Sequence, residues 1–318
     1  MLNKFFVAME RHNINNKDFS FFVGLFTVFL CVIFGSNAVA VKFSFSGLGV
    51  FTTAAIRFSI ATIAIYIWAK ATGQSLMLKK GQLGQLLILA ALFAVQLSMF
   101  YFGLSKSNAS RGTLIVNLLP FWILFLAHFF IPGDRITRRK FFGILLGFSG
   151  VAFMFAESKG VTADFRTGDF VILSATVIWS CSVIYLKRII SDFSAFQITL
   201  YSMVFSVPVF LLEALLWDAP MVSKLNFKII GAVLYQSLVT ATFGFVTWNT
   251  LLQKYGAVAL HSFIFIMPIT GVALGGLLLG EPITSKLLIA LALIVAGILV
   301  VHLKPRKEAP IYPIRKGI

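Results

Sequence analysis

Apolar runs of roughly membrane-spanning length alternate with short polar breaks along almost the whole chain. A hydrocarbon core about 30 Å thick needs roughly 20 helical residues to cross it. The short breaks leave no room for a soluble domain of any size. The pattern predicts an all-α integral membrane protein with ten transmembrane helices, at 19–41, 49–69, 83–104, 112–131, 141–156, 168–186, 195–217, 229–252, 258–280 and 287–303.

The composition agrees with burial in lipid. Apolar residues make up 59% of the chain and charged residues 12%, with a mean hydropathy of +0.94, whereas a soluble domain carries about 25% charged residues. The net charge of +16 does not indicate a nucleic-acid partner, because the basic residues lie between the apolar runs and form no RNP-like motif. Membrane lipid is the expected partner instead.

Cys31 and Cys181 each lie inside an apolar run, without the spacing of a metal or redox site. The sequence therefore predicts no metal, cofactor or disulfide. The N-terminal stretch 1–18 mixes acidic and basic side chains, so it does not form a cleavable signal peptide. We expect the first apolar run to remain in the membrane behind this tail.

The distribution of Lys and Arg predicts the orientation of the chain, since positive loops prefer the cytoplasm. With both termini inside, the cytoplasmic tails and loops hold 18 of the 27 basic residues, the opposite loops hold 8, and Arg57 lies within a helix. This ratio predicts ten spans in a bacterial inner membrane, with the tails 1–18 and 304–318 both cytoplasmic.

The two halves of the sequence repeat each other. Residues that match at a shift of 145 to 148 occur in the same order in both halves. Each half has five helices, and because five is odd, the second copy must be inverted relative to the first. The sequence predicts two inverted five-helix repeats, 19–157 and 168–303. The matches place 34–37 over 179–182, Lys42 over Lys187, 119–120 over 267–268, Asp134 over Glu281, and Gly150 over Gly297.

Four stretches resemble a known family. Residues 32–42 are similar to a motif of tryptophan, glycine, a small residue and asparagine that ends in lysine, with phenylalanine where tryptophan is usual. Arg57 follows an alanine-containing stretch, and 119–137 and 267–284 each combine a proline, an acidic residue and an isoleucine-threonine turn. Together they resemble the EamA branch of the drug/metabolite transporter superfamily, although Asp134 stands where that family usually has glutamate.

The resemblance implies a ten-helix transporter of a small-molecule substrate, and it leaves the cargo open. Family members of this kind enclose a central cavity with their first, third, fourth, sixth, eighth and ninth helices. The resemblance does not distinguish a monomer from a homodimer.

Polar and aromatic side chains inside the apolar runs are the candidate binding residues, because their polar groups need partners away from lipid. For each residue alone, a hydrogen bond between helices is the alternative to a contact with substrate. As a set they predict a polar, aromatic-lined pocket formed by Tyr101, Asn117, Trp179, Tyr185, Tyr235, Gln236, Trp248, Asn249 and His261, to which the resemblance adds Asn37.

Arg57 is the one basic residue inside a predicted span. A charge there costs about 2.5 to 3.5 kcal/mol on insertion scales, so it needs a partner or a water-filled space. It either grips a carboxylate or phosphate of the substrate through two hydrogen bonds, or it has a structural role, bonding to helix carbonyls or reaching the interface. The recurrence of this arginine in the family, irrespective of substrate, favours the structural alternative.

Three further residues suggest how the protein works. His261 is predicted near a helix centre, where it relays a proton for coupling or serves only as a structural residue. Pro120 and Pro268 interrupt equivalent helices, and a proline within a helix removes a hydrogen bond and permits a kink. These prolines are therefore candidate hinges or static kinks.

The predicted repeats favour a carrier over the other functional classes. A channel is disfavoured because the sequence has no TVGYG-like filter and no ring of acidic residues. An enzyme is disfavoured because the P-loop, the nucleophile elbow and the zinc motif HExxH are all missing. The resemblance favours export of amino acids or related metabolites, with uptake of a nucleotide, nucleoside, sugar or cofactor precursor as the alternative.

Overall fold

A computed structural model describes residues 21–130, 136–156 and 162–302, without the side chains of 256–259. Within these ranges the regular secondary structure is helical, as the sequence predicts, apart from one isolated β-bridge. The two predicted tails, 1–18 and 304–318, lie outside the described residues, and so does Asp134.

Twelve α-helices form the described part of the chain, with a 3₁₀ turn after α7 and a π-helical segment between α9 and α10. They are α1 Phe21–Phe45, α2 Val50–Ala71, α3 Gln82–Lys106, α4 Ala109–Val116, α5 Leu119–Phe130, α6 Arg138–Phe155, α7 Ala163–Ile189, the 3₁₀ turn Ile190–Asp192, α8 Ala195–Trp217, α9 Phe227–Leu234, the π segment Tyr235–Gly244, α10 Phe245–His261, α11 Ile266–Leu279 and α12 Ser285–His302.

Eight stretches of the described residues are long and apolar enough to cross a membrane by length and composition. Three of them are built from more than one helical segment, namely Ala109–Phe130, Ala163–Asp192 and Phe227–Tyr255. The helix α11 is apolar but shorter, and α6 begins with three basic residues before its apolar part. The chain is a multi-pass membrane protein, because this many long apolar helices require lipid rather than water around them.

The two candidate hinges, Pro120 and Pro268, lie at the starts of helices rather than in their middles. The predicted span 112–131 is divided, since α4 ends at Val116 and α5 begins at Leu119, which makes Pro120 its second residue. Proline is tolerated in a first turn because its missing N–H has no helical partner there. The helical structure is therefore interrupted at residues 117–118, just before Pro120, where the sequence predicted a kink at the proline itself.

The second proline follows the same rule. The predicted ninth span, 258–280, does not begin at 258, because α10 continues to His261 and the chain turns before α11 begins at Ile266. Pro268 is the third residue of α11. The sequence placed this break one turn too early, since the hydropathy of the polar stretch before 258 does not reveal where the backbone leaves the helix.

Close helix approach at small residues sets the positions of the polar side chains. A Cβ atom at Gly103 on α3 would lie 2.7 Å from the carbonyl oxygen of Gly168 on α7. A Cβ atom at Gly35 on α1 would lie 2.6 Å from the carbonyl oxygen of Met267 on α11. Only glycine permits these separations, and the first of them brings Asp169 to the C-terminal end of α3.

The bundle has two opposite ends, which we name after the helix connections that lie there. The α1–α2 end holds the turn between α1 and α2, where the Gly49 N–H donates to the carbonyl of Met221 at 2.8 Å. It also holds the C-terminal ends of α3, α8 and α11 and the N-terminal ends of α4 and α7. The α2–α3 end is opposite, where the Gln197 side chain donates to the carbonyl of Met77 at 2.8 Å.

Candidate functional site

A buried chain of hydrogen bonds connects α1, α2, α3 and the π segment. One N–H of Arg57 donates to the Tyr101 hydroxyl at 3.0 Å, and that hydroxyl donates to Oε1 of Gln236 at 3.3 Å. The Gln236 amide in turn donates to the Ser44 hydroxyl at 2.7 Å. We call these four residues the Arg57 network, and all four are buried.

Arg57 is compensated by neutral groups only. Its side chain is 2% exposed, and the described part of the chain places no carboxylate within 4 Å of the guanidinium. Its Nε is buried without a hydrogen-bond partner. The Phe58 ring, with its centroid 4.9 Å from Cζ, provides a cation–π contact. The guanidinium therefore has an unused N–H and no carboxylate partner among the described residues.

The structural roles considered for Arg57 do not match this geometry. The hydrogen bond that the structure gives its side chain goes to the Tyr101 hydroxyl rather than to a helix carbonyl. A side chain that reached the membrane interface would be exposed, and this one is not. A buried guanidinium with an unused N–H can donate to an anionic group.

The π segment supplies two of the predicted site residues. Besides Gln236 in the Arg57 network, it carries Tyr235, whose hydroxyl lies 2.5 Å from the Ser36 hydroxyl of α1. A π turn holds one more residue than an α turn, and such segments occur frequently at functional sites. The sequence analysis missed this segment. The signal for it is a cluster of hydroxyl residues, in which Thr242 donates to the carbonyl of Ser237 five residues earlier.

A second group of predicted residues gathers around α10. The ring centroid of Trp248 lies 5.7 Å from that of Phe34 on α1 and 6.4 Å from that of His261, which it stacks against. The neighbouring Asn249 donates to the Thr199 hydroxyl of α8 at 3.1 Å. These contacts form an aromatic and polar group along α10, which we call the Trp248 group.

His261 is not near a helix centre, as the sequence predicted, but is the last residue of α10. Its ring lies 5.8 Å from that of His302, the last residue of α12. The helix continues past the predicted break, so the histidine falls at its C-terminal end. Among the described residues no cluster of three or more His, Cys, Asp or Glu side chains could hold a metal ion.

Four other predicted residues join neither group through the described contacts. Asn117, directly after α4, donates to the carbonyl of Thr113 in that helix at 2.8 Å. Tyr185 packs with Leu86 and its apolar neighbours toward the α2–α3 end. Asn37 on α1 has a buried Oδ1 atom without a partner, and Trp179 is half-buried on α7. The structure thus divides the predicted pocket into two groups and several separate positions.

A buried ion pair closes the α1–α2 end, and the sequence analysis missed it. Arg111 on α4 donates to Oδ2 of Asp169 through Nε at 2.9 Å and through a terminal nitrogen at 2.5 Å. The Ser107 hydroxyl donates to the other carboxylate oxygen at 2.5 Å. Both charged residues stand at the edges of predicted spans, where sequence alone assigns charges to the interface.

Charged side chains also cap helix ends beside this pair. The carboxylate of Glu281 accepts from the backbone N–H groups of Ala109 and Ser110, at 2.6 and 2.8 Å, at the start of α4. The Lys42 ammonium donates to the carbonyls of Leu104 and Ser107, at 3.1 and 2.7 Å, at the end of α3. Each charge matches the sign that a helix terminus favours.

Comparison with known proteins identifies the family. The EamA-like transporter family matches the chain twice, over residues 22–156 and 166–303. The chain belongs to the EamA-like transporter family. It is a membrane transporter, and the resemblance stated from its motifs is confirmed.

Several curated relatives cover most of this EamA-like transporter. A probable amino-acid metabolite efflux pump of Escherichia coli is 25% identical over 86% of this chain and 93% of its own length. An uncharacterized transporter of Archaeoglobus fulgidus is 25% identical over 84% of this chain and 94% of its own. A probable terminal-alkyne amino-acid exporter of Streptantibioticus cattleyicolor is 22% identical over 89% and 95%.

A solved crystal structure is also similar to this transporter. It covers 86% of this chain and 94% of its own, with a TM-score of 0.66 and 20% sequence identity. That similarity shows a shared fold.

The polar contacts of this EamA-like transporter cross between the two regions that match the family. Gln236 in the second region bonds to Ser44 and Tyr101 in the first. The ion pair does the same, since Arg111 is in the first region and Asp169 in the second. A relative movement of the two regions therefore has to change these contacts.

Proposed function

We propose that this transporter is a secondary active carrier that exports amino acids or related metabolites by alternating access. Two inverted five-helix repeats, 19–157 and 168–303, rock against each other around a site at their interface. The observation that carries the proposal is the Arg57 network. It holds an uncompensated cation inside the membrane and joins residues of both repeats.

We propose that Arg57 binds the carboxylate of the substrate. Its unused Nε–H and its free charge fit a carboxylate, which a guanidinium grips through two parallel hydrogen bonds. The Trp248 group then contacts the substrate side chain, since it presents aromatic faces and the Asn249 amide. The names of the efflux pump of Escherichia coli and the exporter of Streptantibioticus cattleyicolor support amino acids as the first substrates to test.

We propose that the protein lies in a bacterial inner membrane with both termini in the cytoplasm. The excess of Lys and Arg in the corresponding loops supports this orientation. In this orientation the α1–α2 end faces the outside. Release of an exported substrate then requires the ion pair between Arg111 and Asp169 and the Glu281 cap to separate, because both close that end.

Counterflow in proteoliposomes tests the proposed function. Vesicles are loaded with unlabelled amino acids, nucleosides or sugars, and entry of the matching radiolabel is followed with and without a proton gradient. We expect saturable accumulation of an amino acid by the wild-type protein and about tenfold less, or lower still, by Arg57→Gln. Lys106→Gln, which removes an exposed cation at the end of α3, serves as the matched control and keeps transport.

Absence of counterflow for every amino acid, from protein that is folded and inserted, contradicts the proposed cargo. Accumulation of a nucleoside or sugar instead identifies the alternative cargo directly. Accumulation of an amino acid that Arg57→Gln leaves unchanged contradicts the carboxylate role of Arg57.

A further inference from the structure

A cavity of about 510 Å³ lies at the α1–α2 end, apart from the Arg57 network. It is partly open and lies between the end of α1, the start of α2, the end of α3 and the segment that follows α8. Ligand pockets have volumes of about 300–1,000 Å³, so this cavity has room for a small metabolite. The lining residues that matter here are Lys42, Phe45, Ser46, Ser105, Trp217 and Asp218.

Asp218 contributes a carboxylate that is held in place and only half used. Its Oδ2 accepts from the backbone N–H of Thr52 at 2.6 Å and from the Thr52 hydroxyl at 2.9 Å, at the start of α2. No described residue donates a hydrogen bond to its Oδ1. A carboxylate accepts at both oxygens, so a fixed acceptor with a negative charge remains at the cavity wall.

Lys42 contributes a cation that is also held in place and also has one bonding position unused. Its ammonium donates to the carbonyls of Leu104 and Ser107, which uses two of its three N–H donors. The described contacts leave the third donor unused. The cavity therefore combines one anchored cation and one anchored anion, each with one bonding position left.

Aromatic side chains form another part of the wall. Trp217 lines the cavity and its ring is supported by Phe51, at 5.8 Å between centroids. Phe45 also lines it, and the edge of its ring contacts Tyr101, at 6.0 Å between centroids. Because Tyr101 belongs to the Arg57 network, Phe45 lies between the cavity and that network.

We propose that this cavity is a second, peripheral binding site for a zwitterionic α-amino acid. The ammonium group of the ligand binds Oδ1 of Asp218, its carboxylate binds the Lys42 ammonium, and an apolar side chain packs on Trp217 and Phe45. This proposal rests on the proposed transport of amino acids. In that transport the cavity binds the substrate immediately before its release from the α1–α2 end.

Protection of a cysteine in the cavity wall tests the site without measuring transport. Ser46→Cys is placed in a Cys181→Ser background, since Cys181 is exposed and Cys31 is buried. Labelling by a maleimide is followed in nanodiscs with increasing L-phenylalanine. Ala163→Cys, at the exposed start of α7 on the same end of the bundle, is the matched control. We expect L-phenylalanine to slow labelling at position 46 and not at position 163.

Two charge variants and two analogues then assign the ligand groups. Asp218→Asn keeps an acceptor for Thr52 and removes the charge, and Lys42→Gln keeps a donor. We expect each variant to raise the half-protecting concentration of L-phenylalanine roughly tenfold. N-acetyl-L-phenylalanine, which lacks the ammonium group, does not respond to Asp218→Asn. L-phenylalaninamide, which lacks the carboxylate, does not respond to Lys42→Gln.

Counterflow of L-phenylalanine, measured in parallel, separates the two proposals. Counterflow without protection at position 46 overturns the peripheral site and leaves the transport function intact. Protection without counterflow supports the site and overturns transport of that amino acid. Equal protection at positions 46 and 163, or equal weakening of both analogues by both variants, also overturns the site, because the ligand groups are then not matched to Asp218 and Lys42.

Discussion

Two buried arginines of this protein have opposite surroundings. Arg111 makes two hydrogen bonds to the Asp169 carboxylate, and the Ser107 hydroxyl holds that carboxylate from the other side. Arg57 has a tyrosine hydroxyl, an aromatic ring and an unused N–H. Both are almost fully buried. The first arginine is paired with a carboxylate of the protein, whereas the described residues place no carboxylate beside the second.

This difference is what we expect if Arg111 belongs to a structural ion pair and Arg57 has the proposed role in substrate binding. A buried pair is costly to break but contributes little beyond a well-packed apolar pair of the same volume. A buried cation with neutral partners lowers the stability of the empty protein, and a bound anion removes that cost. We therefore expect stability to depend mainly on the Arg111 pair and transport mainly on Arg57.

The largest expected effect on stability comes from Asp169→Asn. The substitution leaves the Arg111 guanidinium buried without its counter-charge, which costs about 3–5 kcal/mol in comparable pairs. Thermal unfolding of the purified protein in nanodiscs measures the loss. The double variant Arg111→Met, Asp169→Leu is the control, because removing both charges recovers much of the stability. A double variant no more stable than Asp169→Asn contradicts this explanation.

Arg57→Gln should lower transport and leave stability nearly unchanged. The glutamine amide replaces a donor to Tyr101 and removes an uncompensated charge, so the melting temperature stays near that of the wild type. Loss of a charged hydrogen bond lowers amino-acid counterflow about tenfold or more. A melting temperature that falls as far as that of Asp169→Asn would contradict the comparison, since Arg57 would then be a structural residue.

Tyr101→Phe tests the hydroxyl at the centre of the Arg57 network. The variant keeps the ring contacts with Phe45 and Phe100 and removes the hydroxyl that joins Arg57 to Gln236. A lost partner for buried polar groups costs about 1–3 kcal/mol, less than a broken buried ion pair. Thermal unfolding and counterflow should both show a moderate loss. Gln236→Leu, which removes the bonds of this residue to Tyr101 and Ser44, should show a similar loss.

The long apolar helices were predictable from the sequence because their length and apolar character are required by the bilayer. The described residues give eight such stretches where ten spans were predicted. The chemistry of the Arg57 network was partly predictable for the same reason. A charge or a tyrosine hydroxyl within an apolar run needs a partner, which singled out Arg57, Tyr101 and Gln236. Ser44 could not be found in this way, because a serine in a helix can bond to its own backbone, as Ser44 does with Ala40.

The helix breaks and the closing ion pair were not predictable. Hydropathy reports where a segment lies and not where the backbone leaves the helix. The break before α5 was therefore predicted at Pro120 rather than ahead of it, and the break before α11 was placed one turn too early. Arg111 and Asp169 are separated by 58 positions and lie at predicted span edges, where a charge normally meets water. Only the close approach of α3 and α7 at Gly103 and Gly168 brings the pair out of water.

The smallest expected effect belongs to an ion pair at the same end of the bundle. Lys106 and Asp164 lie 3.3 Å apart, and their side chains are 33% and 77% exposed. Water screens an exposed pair, so Asp164→Asn should leave the melting temperature and counterflow nearly unchanged. This variant and Asp169→Asn alter carboxylates five positions apart on α7, each paired with a basic residue of the first region. A large loss from Asp164→Asn would mean that charge at this end, rather than burial, determines stability, and the contrast between Arg57 and Arg111 would then lose its physical basis.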